Sequence, residues 1–189
     1  MLINHCPDLE ELTLEGTCNT YQLWNIRKIL SGRWPRLRSV SFGSLSPQEL
    51  PSDDVEMVSF LSAHQTLTEI KFLTGMYYSR FSMFYLPALP HIYCFHGRMQ
   101  QLKLAGGDLS ALRCLQLTDW FSPSARFSEI LCLIPHITSL SIYVNFLDSV
   151  NRSNCLALYQ RVLSACPRLD HVEISATGPV VLVRHPYYK

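Results

Sequence analysis

The sequence is short of charge. Asp, Glu, Lys and Arg make up 16% of its 189 residues, against roughly 25% in an ordinary globular domain, and the 16 basic and 15 acidic side chains leave a formal net charge of +1. No run of basic residues supplies the electrostatic footprint that nucleic acid requires, so nucleic acid is excluded as the expected partner. There is no CxxC pair: the seven cysteines are spread along the chain as an odd set, and nothing at the N-terminus resembles a signal peptide. Reduced thiols in the cytoplasm or nucleus are therefore expected. No clean apolar run reaches about 20 residues. The uncharged stretches 81–97 and 130–147 are each interrupted by Pro, His and Ser, and no membrane association is expected.

Catalytic signatures are missing too. No G-x-S-x-G element presents a nucleophile, and Gly106-Gly107 lacks the Gly-Lys-Ser/Thr that would cradle a phosphate. Asp53, Asp54 and Asp119 stand alone, so no paired carboxylates suggest acid–base chemistry, and the chain is not expected to be an enzyme. His91, Cys94 and His96 place three metal-ligating types in one short segment, but a fourth ligand would have to come from elsewhere, with Cys114 the convenient candidate. The expectation is neither a metal site nor a cofactor. Asn151-Arg152-Ser153 fits a glycosylation acceptor that an intracellular chain would not use.

What the sequence does have is a phrase said twice. CPDLEELTLEG at 6–16 returns as CPRLDHVEISATG at 166–178, and the underlying pattern L-x-x-L-x-L can be placed seven times. Its positions are Leu9, Leu12, Leu14; Leu37, Val40, Phe42; Leu67, Ile70, Phe72; Ile92, Phe95, Gly97; Leu112, Leu115, Leu117; Ile137, Leu140, Ile142; and Leu169, Val172, Ile174. Gly97 alone breaks it. The first positions are separated by 28, 30, 25, 20, 25 and 32 residues. The second and third apolar positions alternate with polar ones, as in a strand with one buried face. Pro stands two residues before the first position in five copies, as Pro7, Pro35, Pro90, Pro135 and Pro167, where it ends one element and biases the chain towards extended geometry.

Upstream of the strands, 21–30, 55–61, 127–133 and 155–163 carry apolar residues at helical spacing. Asp53 and Asn154 are candidate N-caps for two of these helices. Each unit then reads as helix, stop, short strand. Stacked units build a parallel sheet on one side and helices on the other, with the repeated apolar residues between them. Leu2–Cys6 reads as the tail of a first helix that is incomplete. Val180–Val183 reads as a closing strand over the last repeat, with a tail the alternative. The aromatic stretch at 72–91, with Tyr77, Phe81, Phe84 and Tyr85 on one helical face, reads as a helix packed on the stack or an exposed binding patch.

CPDLEELTLEG, WPRLRSVSFGS, HQTLTEIKFL, IPHITSLSIYV and CPRLDHVEISATG resemble the leucine-rich repeats of F-box proteins, particularly the irregular, Pro-marked type of fungi. The resemblance covers nearly the whole chain. It implies an α/β leucine-rich-repeat solenoid: a short, irregular, right-handed arc with a parallel sheet on its concave face and helices on its convex face. Residues 1–178 would form about seven repeats, and 179–189 the closing strand or tail. It further implies a substrate-recognition module of a ubiquitin ligase, whose F-box would dock on a Skp-type adaptor and a cullin. The usual LPxE-like opening of an F-box is not seen here, so that docking requires an F-box upstream; a stand-alone repeat scaffold binding a protein or peptide is the first alternative, and an enzyme on an irregular α/β fold the second. The Asn or Cys expected three residues after the last apolar position occurs only as Asn145; Thr17, Leu45, Gly75, Gln100, Trp120 and Thr177 stand elsewhere, which favours an uneven arc.

Strand alternation puts three columns on the concave side. Reading from the first repeat to the last, they are Glu11, Ser39, Glu69, Cys94, Cys114, Ser139, His171; then Thr13, Ser41, Lys71, His96, Gln116, Ser141, Glu173; then Glu15, Gly43, Leu73, Arg98, Thr118, Tyr143, Ser175. The candidate partner-binding residues are Glu11, Glu69, Lys71, His96, Arg98, Gln116, Tyr143, His171 and Glu173, a mixture that suits a protein or peptide. Lys71, His96 and Arg98 form a basic cluster able to hold a phosphorylated or acidic segment, with Glu69 beside them opposing it.

Overall fold

The computed structural model describes residues 6–15, 26–43, 55–73, 87, 89–98, 102, 109–121, 131, 132, 134–144 and 152–176. Within them lie seven strands: β1 Glu11–Leu14, β2 Ser39–Phe42, β3 Glu69–Phe72, β4 Cys94–Gly97, β5 Cys114–Phe121, β6 Ser139–Val144 and β7 His171–Ala176. All pair in parallel, and their order in the single sheet is their order in the chain. The helices are α1 Ile26–Leu30, α2 Val55–Ala63 and α3 Arg152–Ala165, and Leu131 and Cys132 are also helical. The fold is α/β, a parallel sheet flanked by helices.

The register aligns the seven phrases residue by residue. Leu12, Val40, Ile70, Phe95, Leu115, Leu140 and Val172 form one row of partners across the whole sheet. All seven are buried, and they share one core with Leu30 of α1, Met57, Phe60 and Leu61 of α2, and Leu158 and Val162 of α3. Met57, Phe60 and Leu61 fall at i, i+3 and i+4, one face of a helix. Aromatic rings concentrate at the β2–β4 end, where Phe42 stacks on Phe72 at 5.5 Å and meets Phe60 edge-on at 6.3 Å. The buried strand face is thus sealed by the helices, and the opposite face is left to polar side chains.

Pro has a more specific place than a stop. Each strand is preceded by the same turn, closed by an N–H donating to a carbonyl three residues back: Leu9 to Cys6, Leu37 to Trp34, Leu67 to His64, Ile92 to Leu89, Leu112 to Leu109, Ile137 to Ile134 and Leu169 to Cys166. The five prolines occupy the second position of this turn, for which their fixed φ is suited; Gln65 and Ser110 hold it in the other two. The first turn residue points inward in most copies, as Trp34, His64, Leu89, Ile134 and Cys166 are buried. His64, 2% exposed, is the polar member of that column. It accepts the Trp34 N–H on Nε2 at 3.0 Å, and its Nδ1 lies 2.6 Å from the Phe60 carbonyl.

After the turn, one carbonyl per strand receives two N–H groups from the next. Glu10 accepts from Arg38 and Ser39, Arg38 from Thr68 and Glu69, Thr68 from Tyr93 and Cys94, Tyr93 from Arg113 and Cys114, Arg113 from Thr138 and Ser139, and Thr138 from Asp170 and His171. These doubled bonds satisfy the strand starts and fix the register before the first ladder bond.

Three expectations change. Helix α3 begins at Arg152, so Asn154 lies inside its first turn rather than capping it, the residues before Cys155 adding a further turn to the helix read at 155–163. Helix α2 continues past Leu61 to Ala63. The β5–β6 pairing slips: Ile142 and Tyr143 are consecutive, but their partners Leu117 and Trp120 are three apart. Two extra residues of β5 bulge out, and Trp120, not Thr118, takes the register position beside Tyr143. Residues 2–5, 21–25, Asp53, 74–86, 127–130 and 179–189, which carry the first-helix tail, part of the first helix, a proposed cap, most of the aromatic segment, much of the 127–133 helix and the closing strand, lie outside the described residues.

Candidate functional site

The face turned away from the helices is a grid set by the sheet register. Its first row runs Glu11, Ser39, Glu69, Cys94, Cys114, Ser139, His171, and its second runs Thr13, Ser41, Lys71, His96, Gln116, Ser141, Glu173. Both rows stand as the alternation predicts. Neighbouring strands in any sheet lie about 4.8 Å apart, so side chains in a row touch their neighbours. Of the nine candidate residues, Glu11, Glu69 and His171 share the first row and Lys71, His96, Gln116 and Glu173 the second. Arg98 follows β4 directly and is half-buried. Tyr143 pairs with Ser175 across β6 and β7.

Glu69 is the most connected group on this face. Ser39 Oγ donates to its Oε2 at 2.7 Å, and Lys71 Nζ lies 2.9 Å from its Oε1. Burial pushes the Glu69 carboxyl up, but hydrogen bonds from Ser39, Lys71 and the Cys94 thiol, with the Lys71 charge, outweigh it and hold it below its ordinary value. Lys71 is raised by the same carboxylate against the opposing effect of burial. Burial, with the Glu69 charge next to it, pushes the Cys94 thiol up to about 12, which makes it a protonated donor and a poor nucleophile. Burial and the positive charge of Lys71 both lower His96, leaving it neutral at pH 7.

The basic cluster expected at Lys71, His96 and Arg98 is therefore weaker than its residue types suggest. Lys71 is paired with a carboxylate, and His96 carries no charge to add. At the other end of the sheet Glu173 is held by Ser141 Oγ at 3.2 Å and by Ser175 Oγ at 3.5 Å. Ser39, Ser141 and Ser175, which sequence reasoning listed only as small neighbours of the charged residues, orient the two carboxylates. Their column positions were readable; the hydrogen bonds depend on rotamers and were not.

His91 sits exposed in a turn, apart from the β4 face that carries Cys94 and His96. Among the described residues no three His, Cys, Asp or Glu side chains come together in a way that would hold a metal ion. Cys6, Cys94, Cys114, Cys132 and Cys166 are free thiols. No helix of the described residues is long and apolar enough to cross a membrane. Comparison with protein-family models, with curated proteins and with solved structures finds no match to this chain.

Proposed function

We propose that the chain is a leucine-rich-repeat recognition module that binds a protein or peptide across the face carrying Glu11, Glu69, Lys71, His96, Arg98, Gln116, Tyr143, His171 and Glu173, without catalysis. One observation carries the reading. Seven strands, each introduced by the same turn, stack in chain order with one face sealed in the core, and the other face presents a mixture of acidic, basic, thiol, amide and hydroxyl side chains that does not repeat from strand to strand as the core row does. A repeated backbone with a non-repeated outer surface is the arrangement by which solenoid proteins recognise other chains. The mixture of carboxylates, amine, imidazole, amide and hydroxyls suits a polypeptide surface better than a compact apolar ligand.

In this reading the repeats correspond to the substrate-capturing part of an F-box receptor, and a Skp-type adaptor and a cullin would join only where an F-box precedes them. The test is a benzophenone amino acid placed at Gln116, irradiated in cell extract, with the adducts identified by mass spectrometry. The expected result is one dominant protein adduct, competed away by the same unlabelled chain, while the same probe at exposed Leu156 of α3 gives none. Equal labelling of the same protein from Leu156 would overturn the assignment to this face.

A further inference from the structure

We propose that the β1–β3 end of this face is a subsite for a basic side chain, an arginine or lysine of the protein partner. The inference rests on reading the face as a protein-recognition surface. Strand β2 and the residue that follows it contribute only Ser39, Ser41 and Gly43 here, so a shallow lane of small residues runs between β1 and β3. Carboxylates wall it on both sides. Glu11 and Glu15 are exposed on the β1 side and form no ion pair among the described residues, and Glu69 stands on the β3 side. Glu15 leans over the lane: a side-chain carbon at Gly43 would come within 2.7 Å of Glu15 Cγ, so the absence of one lets the acid lie across β2.

Two observations point to a cationic occupant. Ser41 is only 7% exposed, on the side of β2 opposite the core residues Val40 and Phe42, and its hydroxyl has no hydrogen-bond partner among the described residues. Its Oγ is not among the fully buried polar atoms left without a partner, so it opens onto the lane, where a hydroxyl beside carboxylates can accept an N–H from an occupant. The face also holds one ammonium already. Lys71 Nζ rests on Glu69, itself aligned by Ser39, and feels the Glu11 charge from two strands away. Lys71 neutralises one of three carboxylates, so the lane keeps a net negative charge. An anionic segment would have to displace Lys71 from Glu69 and approach Glu11 and Glu15 as well, a like-charge juxtaposition that disfavours it.

The test uses the full chain and a fluorescent peptide of four Gly-Arg repeats, with its citrulline counterpart as the uncharged isostere, read by anisotropy at low salt. The arginine peptide is expected to bind and the citrulline peptide to bind at least about tenfold more weakly. Glu11→Gln and Glu15→Gln should each weaken the arginine peptide about fivefold, Ser41→Ala should weaken it as well, and Lys71→Met should tighten it by freeing Glu69. Asp170→Asn, an equal charge change at the far end of the sheet, should alter it by less than about twofold. Equal effects of Glu11→Gln, Glu15→Gln and Asp170→Asn, or weaker binding by Lys71→Met, would overturn the subsite. A partner that photocrosslinks at Gln116 but ignores the Glu11 and Glu15 changes removes this subsite alone, whereas labelling confined to the helical side removes the reading beneath it.

Discussion

At the scale of single residues, His64 joins two consecutive units by a backbone hydrogen bond through its ring. Burial, the largest influence, lowers its pKa from the ordinary 6.5, the bond to Phe60 opposes that, and the Arg33 charge lowers it further. With Nδ1–H donating to Phe60, Nε2 is free to accept from Trp34, an arrangement only the neutral ring allows. The unfolded chain then takes up a proton that the folded chain refuses. Stability is level above pH 6.5 and falls as the pH drops below it, and His96, also lowered by burial, adds to the same limb. Urea midpoints measured from pH 8 to pH 5 should show this decline. His64→Leu should lower stability at pH 8 by about 1–3 kcal/mol, because the buried Trp34 N–H loses its acceptor, and should flatten the acid limb without abolishing it. A limb as steep in the variant as in the parent would show that His64 titrates freely in both states.

At the scale of elements, the repeated turn makes a sharper statement than the repeated strand. Gln65 holds the place that proline holds in five other copies, and its backbone N–H makes no backbone hydrogen bond among the described residues. Gln65→Pro should therefore stabilise the chain by about 0.4–1 kcal/mol through a stiffer unfolded state, less the exposed Gln65 to Ser62 hydrogen bond. A rise in the thermal midpoint checks it, and a fall would mean that this turn has a φ unlike the others. The elements also show what was legible beforehand. Alternation of apolar and polar residues has a period of two, so placing Leu12 inward placed Glu11 and Thr13 outward, and the same step worked for all seven strands. It failed after Leu117, where two extra residues in β5 move Trp120 into the place assigned to Thr118, because pattern alone carries no mark for a bulge. The start of α3 was missed because the sequence offers two asparagines of capping type, Asn151 directly before Arg152 and Asn154, and the second lies inside the helix.

For the whole molecule, stacking in chain order makes cohesion a matter between neighbours, with each unit holding the one before it and the one after. The doubled carbonyl bonds lie at every junction, but β1 and β7 each have one described strand partner, whereas β2 to β6 have two. Amide hydrogen exchange should reflect this, with Ile70, Phe95 and Leu115 slowest and the amides of β1 and β7 faster by at least about an order of magnitude. Uniform protection from β1 to β7 would indicate one all-or-none unit. The charge placement on the polar face was partly foreseen at this scale: the columns located Lys71 and His96 correctly, but the sum of their surroundings, Glu69 at 2.9 Å and burial of the imidazole, weakened the basic character that their letters suggested.

The constant register sets a metric for anything lying across the strands. A grid point recurs about every 4.8 Å, while an extended polypeptide advances roughly 3.3 Å per residue. Six ligand residues thus span nearly the distance of four strands, and because successive side chains of an extended chain alternate faces, a peptide crossing at right angles would meet the grid in phase at every sixth side chain. Lengthening the segments between strands would leave that cadence untouched, and only a slip such as the one in β5 would throw it off.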